Sequence, residues 1–226
     1  MRCSTKNLER GFTLVELLIA MTLALIVLTS ISSAFISQRK TFNSQEQVTE
    51  MIQGARAALD MISREVRMAG YAPTGYDSQF EDDPTVAQTA LKMQRTDSTA
   101  ARFVGIPYSA TQLQVLADID DDAGTGVGDG DASDTHENIT YTYDSANKQI
   151  DRNTGAGAQP FAENIQAFTF LCYDEFGTAT TTTADIRQID ITITARTSKP
   201  DPDYGQNGGY RAYTLNSYVT PPNLGL

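Results

Sequence analysis

Hydrophobic residues are concentrated near the N-terminus of this chain. Leu17 to Ser37 form 21 consecutive residues without a charged side chain. At about 1.5 Å rise per residue, a helix of that length matches the roughly 30 Å hydrocarbon core of a bilayer. The pattern therefore predicts one membrane-spanning helix. Basic residues flank it on both sides, namely Arg2, Lys6 and Arg10 before it and Arg39 and Lys40 after it. Charge alone thus favours a cytoplasmic N-terminus only weakly.

An amphipathic pattern follows the apolar run. Apolar residues recur at alternating spacings of four and three, at Val48, Ile52, Ala55, Leu59, Ile62, Val66 and Ala69. This spacing predicts a helix whose apolar face packs on a sheet of its own domain. A coiled-coil seam is the alternative, but barely three heptads are present. Gly70 and Pro73 are expected to end the helix. A helix unbroken from Phe12 to Tyr71 would be about 90 Å long.

Beyond Pro73 the period changes from helix to strand. Isoleucines 189, 191 and 193 alternate with polar residues, which is typical of a strand with one buried face. Similar rows occur at 168–172 and 139–143, and the second row is followed by a turn at 145–147 that returns through Ile150. Further strands are predicted at about 112–116 and 210–219. The fold class predicted is α+β, with the long N-terminal helix packed on one antiparallel β-sheet domain.

Composition narrows the function. The 226 residues include 28 acidic and 17 basic side chains, giving a net charge of −11, so general nucleic-acid binding is disfavoured. His136 is the single histidine, and it lies in a polar stretch where a solvated imidazole is expected. Cys3 and Cys172 cannot assemble a zinc cluster, and Cys172 is predicted to be a buried apolar residue. With no hydrolase, zinc-protease or phosphate-loop motif, the sequence predicts a protein that is not an enzyme.

One acidic stretch has the composition of a cation loop. Asp118, Asp120 and Asp122 place carboxylates at alternate positions, as a calcium loop does. The match is partial because Ala123 stands where the loop glycine belongs and Asp129 where the bidentate Glu belongs. These four aspartates are the candidate Ca²⁺ ligands, and no other cofactor is predicted. A solvated acidic surface loop is the alternative reading.

Glu16 is the unusual residue of the N-terminal segment. A carboxylate held at mid-membrane costs roughly 2.5 to 3.5 kcal/mol, so a positively charged partner is expected. Cleavage between Gly11 and Phe12 would supply one, because the new α-amino group would lie one helical turn away. An ordinary secretory signal peptide is the alternative, but its apolar core is usually roughly 7 to 15 residues long and stops.

The stretch Arg10-Gly11-Phe12-Thr13-Leu14-Val15-Glu16, followed by the uncharged run, resembles the N-terminal signal of type IV pilins and type II secretion pseudopilins. The resemblance implies cleavage after Gly11 by a prepilin peptidase on the cytoplasmic side of the membrane. It also implies N-methylation of Phe12 and a role for Glu16 in filament assembly.

Looser similarity extends along the chain to minor pilins of the PilW type. It rests on RAALDMISREVRMAGY from residue 56, ENITY from residue 137, Arg152, and ENIQAFTFLCYDEFG from residue 163. Major pilins often carry a proline about 22 residues into the mature chain, where this sequence has Ser33. A minor-subunit role is therefore favoured.

The resemblance implies a division of the chain into a cleaved leader (1–11), a transmembrane and polymerisation half-helix (12–37), an amphipathic half-helix (38–72) and a periplasmic head (73–226). The function expected is that of a minor pilin in type IV pilus initiation, near the pilus tip and serving motility or adhesion. Its expected partners are other minor and major pilins, the prepilin peptidase and the inner-membrane assembly platform. The protein would reside in the bacterial inner membrane before assembly and at the cell surface afterwards.

Two alternatives remain open at this point. One is a minor pseudopilin of a type II secretion system. The other is a single-span periplasmic module that binds calcium or another ligand.

Overall fold

The computed structural model describes residues 12–71, 105–120, 132 and 134–224, together with the backbone of the strands Gln94–Arg95 and Ala101–Arg102. A single 55-residue helix, α1 (Leu14–Met68), opens the described chain. The chain divides into two compact units within this helix, with the boundary between Glu46 and Gln47. The domain boundaries predicted after residues 11, 37 and 72 stay predictions.

In the part of the chain that the structure describes, nine strands follow α1, and their pairings are antiparallel. A minimal pair is formed by β1 (Gln94–Arg95) and β2 (Ala101–Arg102). A four-stranded sheet contains β3 (Gln112–Leu116), β4 (Asn138–Asp144), β5 (Gln149–Asn153) and β6 (Gln159–Glu163), in that order. A three-stranded sheet contains β7 (Ile165–Tyr173), β8 (Gln188–Arg196) and β9 (Ala212–Val219). Single 3₁₀ turns lie at Thr183–Asp185, Asn207–Gly209 and Pro222–Leu224.

The predicted fold class is confirmed, because a long N-terminal helix packs on antiparallel sheet. The prediction of one sheet is wrong, since the strands divide into separate sheets. Strand β6 was not predicted: it contains Pro160, which lacks the N–H that a ladder needs and weakens the strand signal. The last strand begins at Ala212 rather than at residue 210.

The core forms where α1 meets both larger sheets. Ile62, Val66 and Ala69 of the helical stripe are completely buried, and they share one cluster with residues of both sheets. On β8 every second residue is buried, beginning at Ile189, as the alternation in the sequence predicts. The prediction that the stripe packs on its own domain's sheet is therefore confirmed over the coiled-coil alternative.

The C-terminal end of α1 is fixed by two glycines. Gly70 has φ +74°, a left-handed conformation that glycine adopts without strain, and its N–H donates to the carbonyl of Leu116 at 2.9 Å. Gly105 packs so closely that a Cβ placed on it would lie 2.2 Å from the nitrogen of Gly70. The predicted helix stop at Gly70 is confirmed, whereas Pro73 lies outside the described residues.

Candidate functional site

The first turn of α1 is closed by a reciprocal pair of side chains. The hydroxyl of Thr13 accepts the N–H of Glu16 at 3.2 Å. In return, Oε2 of Glu16 accepts the N–H and the hydroxyl of Thr13 at 2.9 and 3.0 Å. This capping box satisfies backbone donors that have no partner within a helix, and it places an acid where the helix dipole favours one. Oε1 of Glu16 makes no hydrogen bond to a described residue.

Between Leu17 and Ser37, α1 presents a largely apolar surface on all sides. Every residue from Phe12 to Asn43 is exposed, including large side chains such as Leu18, Leu25 and Phe35. Within the described residues, α1 is the one helix long and apolar enough to cross a membrane. A helix that is hydrophobic all round is stable only when other apolar groups surround it, so this segment requires lipid or partner helices.

The hydroxyl groups within this segment do not disturb its apolar character. Thr22 donates to the carbonyl of Ile19, and Ser30 to that of Ile26, both at 2.8 Å. Ser33, which stands where major pilins often have proline, donates to the carbonyl of Ser30 at 3.0 Å. Hydroxyls bonded back to their own helix need no water. The helix also continues unbroken through Ser33.

A buried polar cluster ties the C-terminal half of α1 to the four-stranded sheet. Glu65 is 7% exposed and accepts hydrogen bonds from the hydroxyl of Tyr141 on β4 and from Arg152 on β5. The Arg152 contacts are bidentate, with Nη2 to Oε1 at 2.6 Å and Nε to Oε2 at 3.3 Å. Paired charge-assisted hydrogen bonds of this kind offset much of the cost of burying the carboxylate.

The same cluster raises the pKa of two of its side chains, Tyr141 and Arg152. Burial, followed by the hydrogen bond and charge of Glu65, raises the pKa of Tyr141 far above its usual value. Burial alone would lower the pKa of Arg152, but Glu65 and Tyr141 outweigh burial and raise it. Both shifts keep the hydroxyl of Tyr141 protonated and the guanidinium of Arg152 charged throughout the physiological range. The buried position of the cluster between helix and sheet indicates a structural role.

Sequence reasoning singled out Tyr141 and Arg152 by resemblance but missed Glu65. One signal was available, because Glu65 lies three positions after Ile62 and next to Val66 on the buried side of the helix. Its two partners lie 76 and 87 residues further along the chain, a pairing that periodicity cannot reveal.

The acidic segment proposed to bind calcium is described only in part. Asp118 is buried and Asp120 is half-buried, whereas Asp122 and Asp129 lie outside the described residues. Among the described residues there is no cluster of three or more potential metal-ligating side chains. Calcium binding here stays a prediction.

Glu137 organises the described part of that segment. Its buried carboxylate accepts the backbone N–H groups of Ile119 at 2.7 Å, Asp120 at 2.8 Å and Asp134 at 3.3 Å. Burial raises the pKa of Glu137 despite these hydrogen bonds, and the nearby charge of Asp118 adds to the rise. Glu137 thus folds the loop ends together by capping their backbone.

The two remaining candidate reactive residues lie as predicted. Cys172 is buried on β7, and burial raises the pKa of its thiol to about 11, which keeps it in the unreactive protonated form. His136 is exposed on a turn, with φ +77°.

Comparison with known proteins agrees with the N-terminal features. Residues 6–32 match the family model described as the prokaryotic N-terminal methylation motif, and this span includes Gly11, Phe12 and Glu16. A type IV-like pilin from Thermus thermophilus aligns at 13% identity and a TM-score of 0.42, covering 78% of this chain and 99% of that chain. No curated protein matches the sequence. The chain thus carries a prepilin-type methylation motif, which supports the pilin superfamily and is consistent with membrane anchoring.

Proposed function

We propose that this protein is a minor pilin, a non-catalytic subunit that helps to initiate or cap a type IV pilus near its tip. The observation that carries the proposal is the fully exposed apolar half of α1, which begins at a capped acid within a methylation motif. Such a surface is suited first to lipid and then to a bundle of similar helices.

The mechanism has three physical steps. The apolar half-helix first holds the precursor in the inner membrane, with the head on the periplasmic side. A prepilin peptidase then cleaves after Gly11, and the amine of Phe12 is methylated. Finally the helix moves from lipid into the filament, where side-chain packing replaces lipid contacts and Glu16 pairs with the amine of a neighbouring subunit.

The capping box explains how Glu16 can serve two partners. Oε2 is engaged by Thr13 of the same chain, while Oε1 has no hydrogen-bond partner among the described residues. A neighbour's amine can therefore bind Oε1 without disrupting the helix end. The intramolecular hydrogen bonds also hold the carboxylate in one orientation, which lowers the entropy lost on pairing.

Three variants separate the filament role of Glu16 from its capping role. Glu16→Gln keeps an acceptor for Thr13 but removes the charge, Glu16→Ala removes both, and Thr13→Ala removes the hydroxyl while keeping the acid. Each full-length variant would be expressed in place of the native protein in its own host, and its amount in the sheared pilus fraction measured by immunoblot. We expect the amount of each Glu16 variant in the pilus fraction to be at least about tenfold lower than that of the native protein. Without the carboxylate, the ion pair with the neighbouring subunit is lost and the amine of that subunit stays unpaired.

Thr13→Ala is the matched control and should retain most of its incorporation, because capping is worth only about 1 kcal/mol. Equal loss in all three variants would show that the helix end matters and the charge does not. Normal incorporation of Glu16→Ala would refute the assembly mechanism.

The N-terminus of the membrane-extracted protein gives a second test. Mass spectrometry should find a chain that begins at a methylated Phe12. An intact Met1, or a new terminus near Phe35, would instead favour the single-span periplasmic module. If processing is as proposed, a deletion of the gene for this protein distinguishes a type IV pilus from a type II secretion system. The measurements are the amount of enzyme that the host secretes and the amount of pili that it assembles. Loss of secretion with normal pili would favour a pseudopilin.

A further inference from the structure

The outer edge of the three-stranded sheet is unusually regular. All eight residues of β9 (Ala212–Val219) pair with β8 without a register shift, and among the described strands β9 is the last in its sheet. Natural edges are commonly protected by charge, proline or bulges. The edge strand β6 has such protection, with Pro160 and a register shift against β5. Strand β9 contains neither proline nor a charged residue.

A groove lies beside this edge, between β9 and the C-terminal half of α1. Its volume is about 220 Å³. Leu59 and Leu215 supply apolar lining, and Ser63 and Ser217 are joined across it by a hydroxyl–hydroxyl contact of 3.2 Å. The groove therefore combines a strand edge with a narrow apolar strip.

The helix side of the groove is basic, in contrast to the protein as a whole. Arg56 and Arg67 both line it and are exposed, and neither forms an ion pair with a described residue. The acid that also lines the groove, Asp60, is neutralised by Arg64 at 2.7 Å. Two positive charges thus face the groove in a chain whose net charge is −11.

We propose that β9 accepts an added strand from another polypeptide, and that this strand is an extended acidic segment. Main-chain hydrogen bonds to the β9 edge would hold it, and its carboxylates would pair with Arg56 and Arg67. The two arginines are eleven positions apart, or about 16 Å along the helix, a distance that an extended chain covers in about five residues. A short segment is therefore long enough to reach both.

A second copy of this chain fits the edge less well. If two β9 edges paired about a two-fold axis, Arg56 and Arg67 of both copies would lie along the same seam. Like charges across such a contact disfavour it, whereas carboxylates from a different chain complement it. The proposal does not depend on the pilin assignment, since every residue in it lies between Arg56 and Val219.

Peptide binding to the full-length protein in detergent micelles tests the proposal. The probe is a fluorescein-labelled nine-residue peptide with Glu at its third, fifth and seventh positions and Val or Thr elsewhere. Fluorescence anisotropy should show saturable binding. The same peptide with Lys at those positions should bind at least about tenfold more weakly, because two favourable pairings become repulsions. No saturable binding of the Glu peptide would overturn the proposal.

Two protein variants test the location of binding. The double charge reversal Arg56→Glu with Arg67→Glu should weaken binding of the Glu peptide by about tenfold or more. The double reversal Lys148→Glu with Lys199→Glu changes the net charge equally outside the groove, and its affinity should stay within about threefold. Equal weakening in both variants would show that the peptide responds to the net charge of the protein and not to the groove, and it would overturn the proposal.

Backbone N-methylation of the probe tests strand addition itself. Only alternate N–H groups of an added strand face the edge that it joins. Of two peptides methylated at the odd or the even positions of the central segment, one should therefore lose binding and the other keep it. Equal affinities for the two would show docking through side chains alone and would reject an added strand. Self-association of the protein that excludes the peptide would identify a second copy as the occupant and contradict the proposal as well.

Discussion

The two halves of α1 obtain an apolar environment in different ways. From Gln47 to Met68, the chain's own sheets bury one stripe of the helix, and residues such as Ile62 and Val66 are completely inaccessible. From Leu14 to Asn43 no residue is buried, although this half is the more apolar. The C-terminal half therefore gains stability from the sheets on which it packs, whereas the exposed N-terminal half needs an apolar environment such as lipid.

The acids in the two halves differ in the same way. Glu16 is satisfied locally, by the backbone and hydroxyl of a residue three positions away. Glu65 is satisfied by Tyr141 and Arg152, which come from distant strands. The hydrogen bonds of Glu16 are kept when its helix segment changes its surroundings, because both partners lie in the same helical turn. Those of Glu65 require the complete fold. This difference agrees with the proposed mechanism, in which the N-terminal half moves from lipid into a filament while the C-terminal half stays packed on its sheets.

The largest effect is expected from truncating one apolar side chain in each half. Ile62→Ala should lower the free energy of unfolding of the head by about 4 kcal/mol, because it leaves a cavity in a closed core. Leu25→Ala should change it by less than about 0.5 kcal/mol, since Leu25 touches no core. Denaturant unfolding of the full-length protein in detergent, followed by tyrosine fluorescence, measures both. Comparable losses would mean that the N-terminal half also stabilises the head.

Two glycine-to-alanine changes test the packing of the C-terminal half. Gly105→Ala should destabilise the head by about 3 kcal/mol, because the new Cβ would meet the backbone of Ala69 and Gly70, which cannot yield as a side chain can. At Gly54 an added Cβ would have no other atom within 4 Å, so Gly54→Ala should stabilise the helix by about 0.5 to 1 kcal/mol. Thermal unfolding by circular dichroism compares them. A well-tolerated Gly105→Ala would argue against this close contact.

A smaller effect is expected at the buried carboxylate. Glu65→Gln should cost about 2 kcal/mol, less than for a fully buried pair, because Arg152 retains some solvent contact and Gln still accepts a hydrogen bond. Asp60→Asn, at an exposed pair on the same helix, should cost less than about 0.5 kcal/mol. Chemical denaturation of both variants provides the comparison. If the two costs were equal, the Glu65 cluster would contribute no more than a surface ion pair.

Periodicity predicted the helix and most strands, and cap chemistry predicted the helix stop at Gly70, because each depends on residues close together in sequence. Strand β8 follows its alternation residue by residue, and β3 has the predicted bounds. Strand β6 escaped prediction because its pairing with β5 stabilises a segment whose own signal Pro160 weakens. The division into two larger sheets likewise depends on which strands meet in space, and no local pattern records that.

The sequence alone determined the apolar half-helix, the methylation motif and the position of Glu16, because these depend on composition and on spacings of a few residues. Tertiary structure alone decided the partners of Glu65, the close approach of Gly105 to the helix end and the basic groove beside β9. Each of these joins residues separated by tens of positions or more. Such contacts form only when burial of the apolar core brings distant segments together. The free energy gained by that burial depends on the whole chain and not on any short segment.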